Sequence, residues 1–555
     1  MLPSFFDLFN QSLTTLTQAQ QATFEAWTRS LELTQNMAAS FWGQTPAVDI
    51  DLGKDDARFT DEAWRTNMVA SFTRQSYLIL SKWMEDTASA LDVLDPKTPI
   101  LRLRSEQVKF WTEQMADVLS PSNSPFTNPE VVRETVKTGG ANLVTGMQNF
   151  MHDLAAGRVT QVPEDAFVIG KDLACTPGKV VYRSPLMELM QYTPTTEKVH
   201  AVPMLMVPPW INKYYVMDLA PDNSLYKYLV DNGFTVFTIS WKNPDESILD
   251  LEWDDYIEQG PLEALKVVQE ITGAKKINLV GYCLGGISSQ VALGYLAAQG
   301  EDTIVNTATF FTTHQDYSCV GDITVFIDEN WVKFLDWLMA ASGGYLDGKN
   351  MGATFNMLRA NDLLWRYVVS NYLLGQQPPA FALLYWNNDG TRVPGKVHSF
   401  LLREFFLHNK LQTGDLEVLG TRIDLGKVKT PTYAVAASAD HIVPWQGAYK
   451  IRELMGGPVR FILTEGGHIA GVVNPPLGST LPHPTKKRAH WVNDDNPTPD
   501  PEEWLKGATK AVESWWTDWV PWLAKQSGRK INPPALGSEK YPPLMDAPGQ
   551  YVLEK

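Results

Sequence analysis

The residues Gly281-Tyr282-Cys283-Leu284-Gly285-Gly286 have the types and spacing that chemistry needs. They follow Lys276-Ile277-Asn278-Leu279-Val280, which reads as a short buried strand, and precede a run from Ile287 to Gln299 that reads as a helix. Strand, tight glycine turn and helix make the context of a nucleophile elbow, with cysteine where many such enzymes carry serine. Glycines belong there because the turn is sharp and its backbone must pack where Cβ atoms would intrude. The turn would lift the sulfur to the head of a helix, whose dipole and free N–H groups favour a thiolate. A glycine-rich turn around an inert buried cysteine has the same pattern, and two further features decide against it.

The first is Asp440, in Ala439-Asp440-His441, just past the apolar strand Thr432–Ala436. The second is His468, in Glu465-Gly466-Gly467-His468, in a loop after the apolar run Val459–Leu463. An acid in a turn after one strand and a base after the last, in the order Cys, Asp, His, predict an α/β-hydrolase fold. The gap between Cys283 and Asp440 is long enough for an inserted cap. His441 is a competing base, but its side chain and that of the adjacent Asp440 need not face one pocket, so the strand–loop position favours His468. The other seven histidines, His152, His200, His314, His398, His408, His483 and His490, read as structural or surface residues. No set has metal-ligand spacing, so no metal site is expected.

A Cys–His–Asp set suits acyl transfer: His468 takes the thiol proton and Asp440 holds the imidazole in the right tautomer. The developing oxyanion needs N–H donors. One is the backbone N–H of Leu284, just after the cysteine. Another is expected from the loop after Val207-Pro208-Pro209; the prolines carry no N–H, so Trp210 or Ile211 is the first available donor. A thiolate exchanges readily with a thioester and leaves an enzyme thioester still reactive toward an alcohol. If a cap excludes water, the acyl group passes to that alcohol, which favours a thioester substrate and an oxygen acceptor.

The elements around these residues fall into two patterns. Residues 1 to about 165 read as mostly helical: Phe6, Phe9, Leu13, Leu16, Phe24, Trp27 and Leu31 recur at three- and four-residue steps, giving an amphipathic helix with a Gln/Thr/Ser face. Further helices are expected over Ala63–Trp83 and from Pro129 to about Leu154. From about Phe167, a hairpin (Lys179–Tyr182, Met187–Tyr192) and strands at Pro203–Val207 and Thr235–Ser240, with a helix at about Ser224–Asn232, indicate a largely parallel sheet. Residues of about 319–427, aromatic-rich helices and loops, read as the cap insertion. A final helix is expected over about Pro501–Lys525, followed by an extended Pro- and Lys-rich stretch. The domains expected are thus 1–165, helical, and 166–555, catalytic.

The formal charge of −16 argues against nucleic-acid binding. Three cysteines without regular spacing suit a reducing compartment rather than a disulfide scaffold. No apolar run approaches a membrane span, and no basic region precedes an apolar core at the N-terminus, so neither a transmembrane segment nor a secretory signal is expected. The count of 19 tryptophans is high; core contacts explain it, with adhesion to an apolar phase as the alternative.

The chain resembles the polyhydroxyalkanoate synthases, which polymerise hydroxyacyl-CoA into storage polyester. The resemblance runs from about residue 58 to about 525. It rests on Arg58-Phe59 with Ala63-Trp64, Thr127–Glu130 leading to Thr138–Leu143, Pro208–Tyr215, Ser240–Pro244, Trp253–Tyr256, the elbow, Tyr385-Trp386-Asn387, Asp440-His441 and Gly466–His468. Gly390 departs from the family pattern, which has no glycine there. The resemblance implies that Cys283 carries the growing ester, that His468 activates the thiol, and that Asp440 orients the base or helps activate the monomer's 3-hydroxyl. It also implies Tyr282, Trp386 and His441 as substrate-contacting residues, and no cofactor, CoA being part of the substrate and a product. The length, without the shorter partner-dependent layout, resembles the single-subunit type, and Tyr282 and Leu284 look like the short-chain (C3–C5) branch, implying 3-hydroxybutyryl-CoA. A homodimer in the cytoplasm, at polyester granules with their associated proteins, is implied too. The competing readings are a capped Cys-dependent hydrolase or thioesterase resembling dienelactone hydrolase, and a non-catalytic granule coat that leaves the triad unused.

Overall fold

The computed structural model describes residues 5–41, 56–93, 99–476, 488–494 and 498–555, excepting the side chains of 5–13, 40–41, 93 and 99–102. The side chains of Phe6, Phe9 and Leu13 of the expected amphipathic face lie outside what is described, as does His483 altogether. The chain divides into two compact units, Met1–Pro163 with Ala353–Pro379, and Glu164–Gly352 with Ala380–Lys555.

The first unit is helical. Helices Phe5–Phe41, Met68–Ser89 and Pro99–Val118 pack in succession, the last without a counterpart in the sequence reading. The helix expected over Ala63–Trp83 is broken at Asn67, whose side chain accepts the N–H groups of Val69 and Ala70 and so starts a new helix. Arg58 donates to Tyr77 Oη and Asp117 Oδ1, both at 2.7 Å, while Phe59 meets Trp64 edge-on at 5.0 Å. These contacts give the Arg58-Phe59 and Ala63-Trp64 motif a structural role.

Asn128 caps helix Pro129–Thr138, and Gly139 and Gly140, both left-handed, separate it from helix Ala141–Ala156. Two helices thus replace the single one expected there. Segment Ala353–Pro379, from within the expected cap insertion, packs in this same unit. Asn142 Nδ2 donates to the Leu373 carbonyl at 2.8 Å, and Tyr372 Oη to Asp153 Oδ2 at 2.7 Å.

The second unit is built on an eleven-stranded sheet. In chain order its strands are β1 (Gly178–Arg183), β2 (Met187–Tyr192), β3 (Met204–Val207), β4 (Val236–Trp241), β5 (Ile277–Tyr282) and β6 (Val305–Phe311), then β7 (Thr432–Ala437), β8 (Val459–Thr464), β9 (His490–Val492), β10 (Thr509–Ala511) and β11 (Met545–Asp546). Their spatial order is β10-β9-β8-β7-β6-β5-β3-β4-β2-β1-β11. Strands β4, β3, β5, β6, β7 and β8 are parallel, and the outer strands antiparallel. Apart from β6, the parallel strands read as largely apolar runs because both faces are buried, each under its own hydrophobic cluster.

The expected final helix is interrupted. Pro501–Lys506 ends at Gly507, β10 follows on the sheet edge against β9, and only Trp516–Gln526 is helical again. Pairing with the β9 edge outweighs helix propensity in that stretch. Trp504, Trp515, Trp516 and Trp519 are all buried core residues.

The closest approach of a glycine to backbone among the described residues of the helical unit makes a test. A Cβ on Gly146 would lie 1.8 Å from the Tyr372 carbonyl oxygen. Gly146→Ala is therefore expected to lower stability by about 1–3 kcal/mol, although alanine favours helix. Urea unfolding of the full chain checks this; an unchanged or raised midpoint would contradict the packing.

Candidate active site

Strand β5 delivers Cys283 into a backbone conformation of φ +52°, ψ −118°, a region that few non-glycine residues occupy. The three glycines show what holds it there. A Cβ on Gly281 would lie 2.5 Å from Gly286 Cα, one on Gly285 2.0 Å from the Val207 carbonyl oxygen, and one on Gly286 2.0 Å from Thr313 Oγ1. The turn is thus wedged between the end of β3 and the segment after β6. Cys283 N–H donates to the Phe311 carbonyl at 2.9 Å, and the Cys283 carbonyl accepts from Gly286 and Ile287. Helix Leu284–Gln299 begins at the next residue, so the Leu284 N–H lies in the first turn, where no intrahelical acceptor exists.

Asp440 and His468 arrive from β7 and β8. The two loops run together: Ser438 N–H donates to the Thr464 carbonyl and Ala439 N–H to the Gly466 carbonyl, both at 2.8 Å. Gly466, at φ +122°, makes the turn into the base loop. Asp440 Oδ1 accepts the N–H groups of Ile442 and Val443 at 2.9 and 2.8 Å, leaving Oδ2 to meet His468 Nδ1 at 2.7 Å. Cys283 acts on the same imidazole to raise its pKa, and with Nδ1 taken by Asp440, Nε2 is the ring nitrogen that remains for it. Asp440 and His468 are therefore in direct contact, with Cys283 within electrostatic reach of the imidazole.

Electrostatics couple them. Burial alone would lower the His468 pKa, but the Asp440 carboxylate and Cys283 outweigh it and push it up to about 10. Burial raises the Asp440 carboxyl, yet His468 and the two backbone donors bring it below the ordinary carboxylate range.

The other expected residues take varied places. The Trp210 side chain is buried against Trp241, Trp253 and Tyr256, with ring centroids 4.9–5.7 Å away. Its backbone and that of Ile211 continue the Val207-Pro208 segment on which Gly285 packs. Tyr282 lies beside the base, its ring centroid 5.8 Å from that of His468, and its buried hydroxyl has no hydrogen-bond partner among the described residues. Trp386 is buried and donates its indole N–H to the Lys213 carbonyl at 2.6 Å. His441 is partly buried, and a Cβ on Gly321 would lie 1.8 Å from its carbonyl oxygen.

His314 and Tyr317 also belong to this neighbourhood. Their rings stack at 5.1 Å, and the field of Cys283 reaches the buried Tyr317 hydroxyl. Burial is the main cause lowering the His314 pKa, to about 3, with Asp440 acting to raise it and His468 to lower it. These residues follow β6, a strand absent from the sequence reading, so no signal drew attention to them.

Sheet order and the strand–turn–helix elbow together define an α/β-hydrolase-fold protein with a cysteine at the elbow. Residues 203–475 match the family described as "alpha/beta hydrolase fold", and residues 55–229 match "Poly-beta-hydroxybutyrate polymerase (PhaC) N-terminus". The poly(3-hydroxyalkanoate) polymerase subunit PhaC of Cupriavidus necator is 42% identical over 506 residues, covering 90% of this chain and 83% of that protein. The Rhizobium meliloti subunit PhaC is 40% identical over 533 residues, covering 95% and 83%. The poly(3-hydroxyalkanoate) polymerase of Methylorubrum extorquens is 42% identical over 509 residues, covering 90% and 81%. The chain belongs to the poly(3-hydroxyalkanoate) polymerase family, and is an acyltransferase.

The His468 environment predicts a pH dependence of stability. A histidine pKa raised from 6.5 to about 10 contributes stability that is complete below pH 6.5 and lost as pH rises through 10. Asp440, lowered, has the opposite sign: its contribution is lost as pH falls through its folded-state value. The stability difference between wild type and His468→Gln, followed by urea unfolding at pH 6, 8 and 10, should shrink across that series. A flat difference would contradict the pairing.

Proposed function

We propose that this chain polymerises (R)-3-hydroxyacyl-CoA, with 3-hydroxybutyryl-CoA as the monomer, into polyester with release of CoA, and that Cys283 carries the acyl group. The observation that supports this most is the His468 ring joined to Asp440 Oδ2 at 2.7 Å, with Cys283 acting on the same imidazole to raise its pKa. In the first half-reaction His468 takes the thiol proton, and the sulfur attacks the thioester carbonyl. The C–S bond to CoA then breaks, and CoA leaves as the thiol with the proton from His468. In the second, the 3-hydroxyl of a monomer or chain end loses its proton to His468 and attacks the Cys283 thioester. The new ester bond forms as the C–S bond to Cys283 breaks. Asp440 keeps the imidazole in the tautomer with Nε2 facing the sulfur. The N–H groups of Leu284 and of Ile211 or Trp210 are assigned to the oxyanion in both steps.

A homodimer at the surface of a polyester granule, in the cytoplasm, belongs to the same reading. Leu16, Phe24, Trp27 and Leu31 of the first helix are 44–66% exposed, as a face that meets a partner helix or an apolar phase requires.

Purified protein with (R)-3-hydroxybutyryl-CoA tests the proposal, with CoA release followed and polymer weighed against free acid. Insoluble polyester with CoA release is expected, abolished in Cys283→Ala. In Cys283→Ser a fall of at least about 100-fold is expected, because an oxygen ester is a poorer acyl donor. Free 3-hydroxybutyrate as the sole product would make the protein a capped thioesterase, and near-normal polymer from Cys283→Ser would contradict the assigned nucleophile.

A further inference from the structure

The loop Trp210–Tyr215, assigned above to oxyanion binding, is fastened residue by residue to the segment Trp386–Thr391. Thr391 Oγ1 donates to the Trp210 carbonyl, and Thr391 N–H donates to the Ile211 carbonyl at 3.2 Å. Asn212 forms a backbone bridge with Gly390, and Trp386 donates to the Lys213 carbonyl at 2.6 Å. Asp389 receives Lys213 Nζ at 2.9 Å on Oδ1 and Tyr215 Oη at 2.8 Å on Oδ2. Lys213 Nζ also donates to the Glu554 carbonyl at 2.8 Å, and its side chain is 3% exposed.

This is a large investment of buried polar groups in one short loop. A buried ammonium is costly unless its hydrogen bonds are met, and apolar replacements of such pairs are often equally stable, so stability alone does not explain it. Direction does. In a trans peptide the carbonyl of one residue and the N–H of the next point in opposite directions across a rigid plane. The Trp210 carbonyl and the Ile211 N–H share one such plane. With Thr391 holding the carbonyl, the Ile211 N–H must face away from the Trp386–Thr391 segment.

We propose that Thr391 and Lys213 are positioning residues for the oxyanion site: Thr391 sets the direction of the Ile211 N–H, and Lys213, clamped between Asp389 and the Glu554 carbonyl, keeps the loop in register with Thr391. Ile211 rather than Trp210 is then the donor that the lock controls. The inference rests on the acyl-transfer reading of Cys283, and it assigns the Trp386–Thr391 stretch to aiming a backbone dipole.

The test uses the full chain and two reactions of one sulfur. Acylation by 3-hydroxybutyryl-CoA, read as first-turnover CoA release, develops an oxyanion; alkylation of Cys283 by iodoacetamide does not. Thr391→Val, which removes the donor at nearly constant volume, should slow acylation by about 10- to 100-fold, somewhat less than deletion of a whole donor. It should leave the alkylation rate within about twofold, since the thiolate and its base are untouched. Thr391→Ser should restore acylation, and Asp389→Asn, which keeps the shape but not the charge opposite Lys213, should show the same split more weakly. Acylation by Thr391→Val within about twofold of wild type would overturn the proposal. So would acylation and alkylation falling together, in either Thr391→Val or Asp389→Asn. Failure of the underlying reading looks different: Cys283→Ala would still release CoA.

Discussion

The candidate active site depends on one close approach. Gly285 sits so near the end of β3 that a single added carbon would fall 2.0 Å from the Val207 carbonyl oxygen. That contact fixes three things at once. It sets how far the elbow lies from the loop beginning at Pro208, how helix Leu284–Gln299 leaves the sheet, and therefore where the sulfur stands relative to N–H groups from either side. The positive φ of Cys283 is a consequence, since the chain can turn from β5 into that helix within one residue only by passing through it. Such strain typically costs about 1–3 kcal/mol and persists because the packing around it over-determines it.

The His468 loop is held from the other side of the sheet. The indole N–H groups of Trp515 and Trp516 donate to the carbonyls of Gly471 and Val472 at 3.0 and 2.9 Å, just beyond His468. Trp519 reaches Thr309 Oγ1 on β6 at 3.1 Å. Part of the tryptophan richness that raised the idea of adhesion to an apolar phase thus secures the His468 loop to the core. Each indole satisfies a buried carbonyl and fills volume, which suits tryptophan where a loop has to be held without a regular ladder.

The candidate site was legible in the sequence because it hangs on local signals. Glycines flank Cys283, and Asp440 and His468 each follow an apolar run, so chain order and strand–loop context name all three before any fold is seen. Elements whose fate is decided by distant partners were harder to read. Strand β6 escaped notice although it lies between β5 and β7, because Asn306, Thr307 and Thr309 interrupt its apolar run; those side chains are satisfied by Asn278 and Trp519. The stretch around β10 looks helical by composition and becomes a strand because β9 offers an edge. Residues 353–379 look like cap by position, yet they pack with the helical unit through Asn142 and Asp153. His314 and Tyr317 reach the site only through the turn after β6. Asn212-Lys213-Tyr214-Tyr215 and Tyr385-Trp386-Asn387 were visible as motifs, but their joint purpose, one loop bound to another through Lys213 and Asp389, exists only in three dimensions.

The central claim is that the sulfur of Cys283 bears the growing ester. Mass spectrometry of peptides from protein quenched during turnover with (R)-3-hydroxybutyryl-CoA tests it most directly. The account predicts hydroxybutyryl units, one or several, on the peptide containing Cys283, released by neutral hydroxylamine as a thioester would be. An unmodified Cys283 peptide while polymer accumulates, or the acyl chain on a different residue, would contradict it.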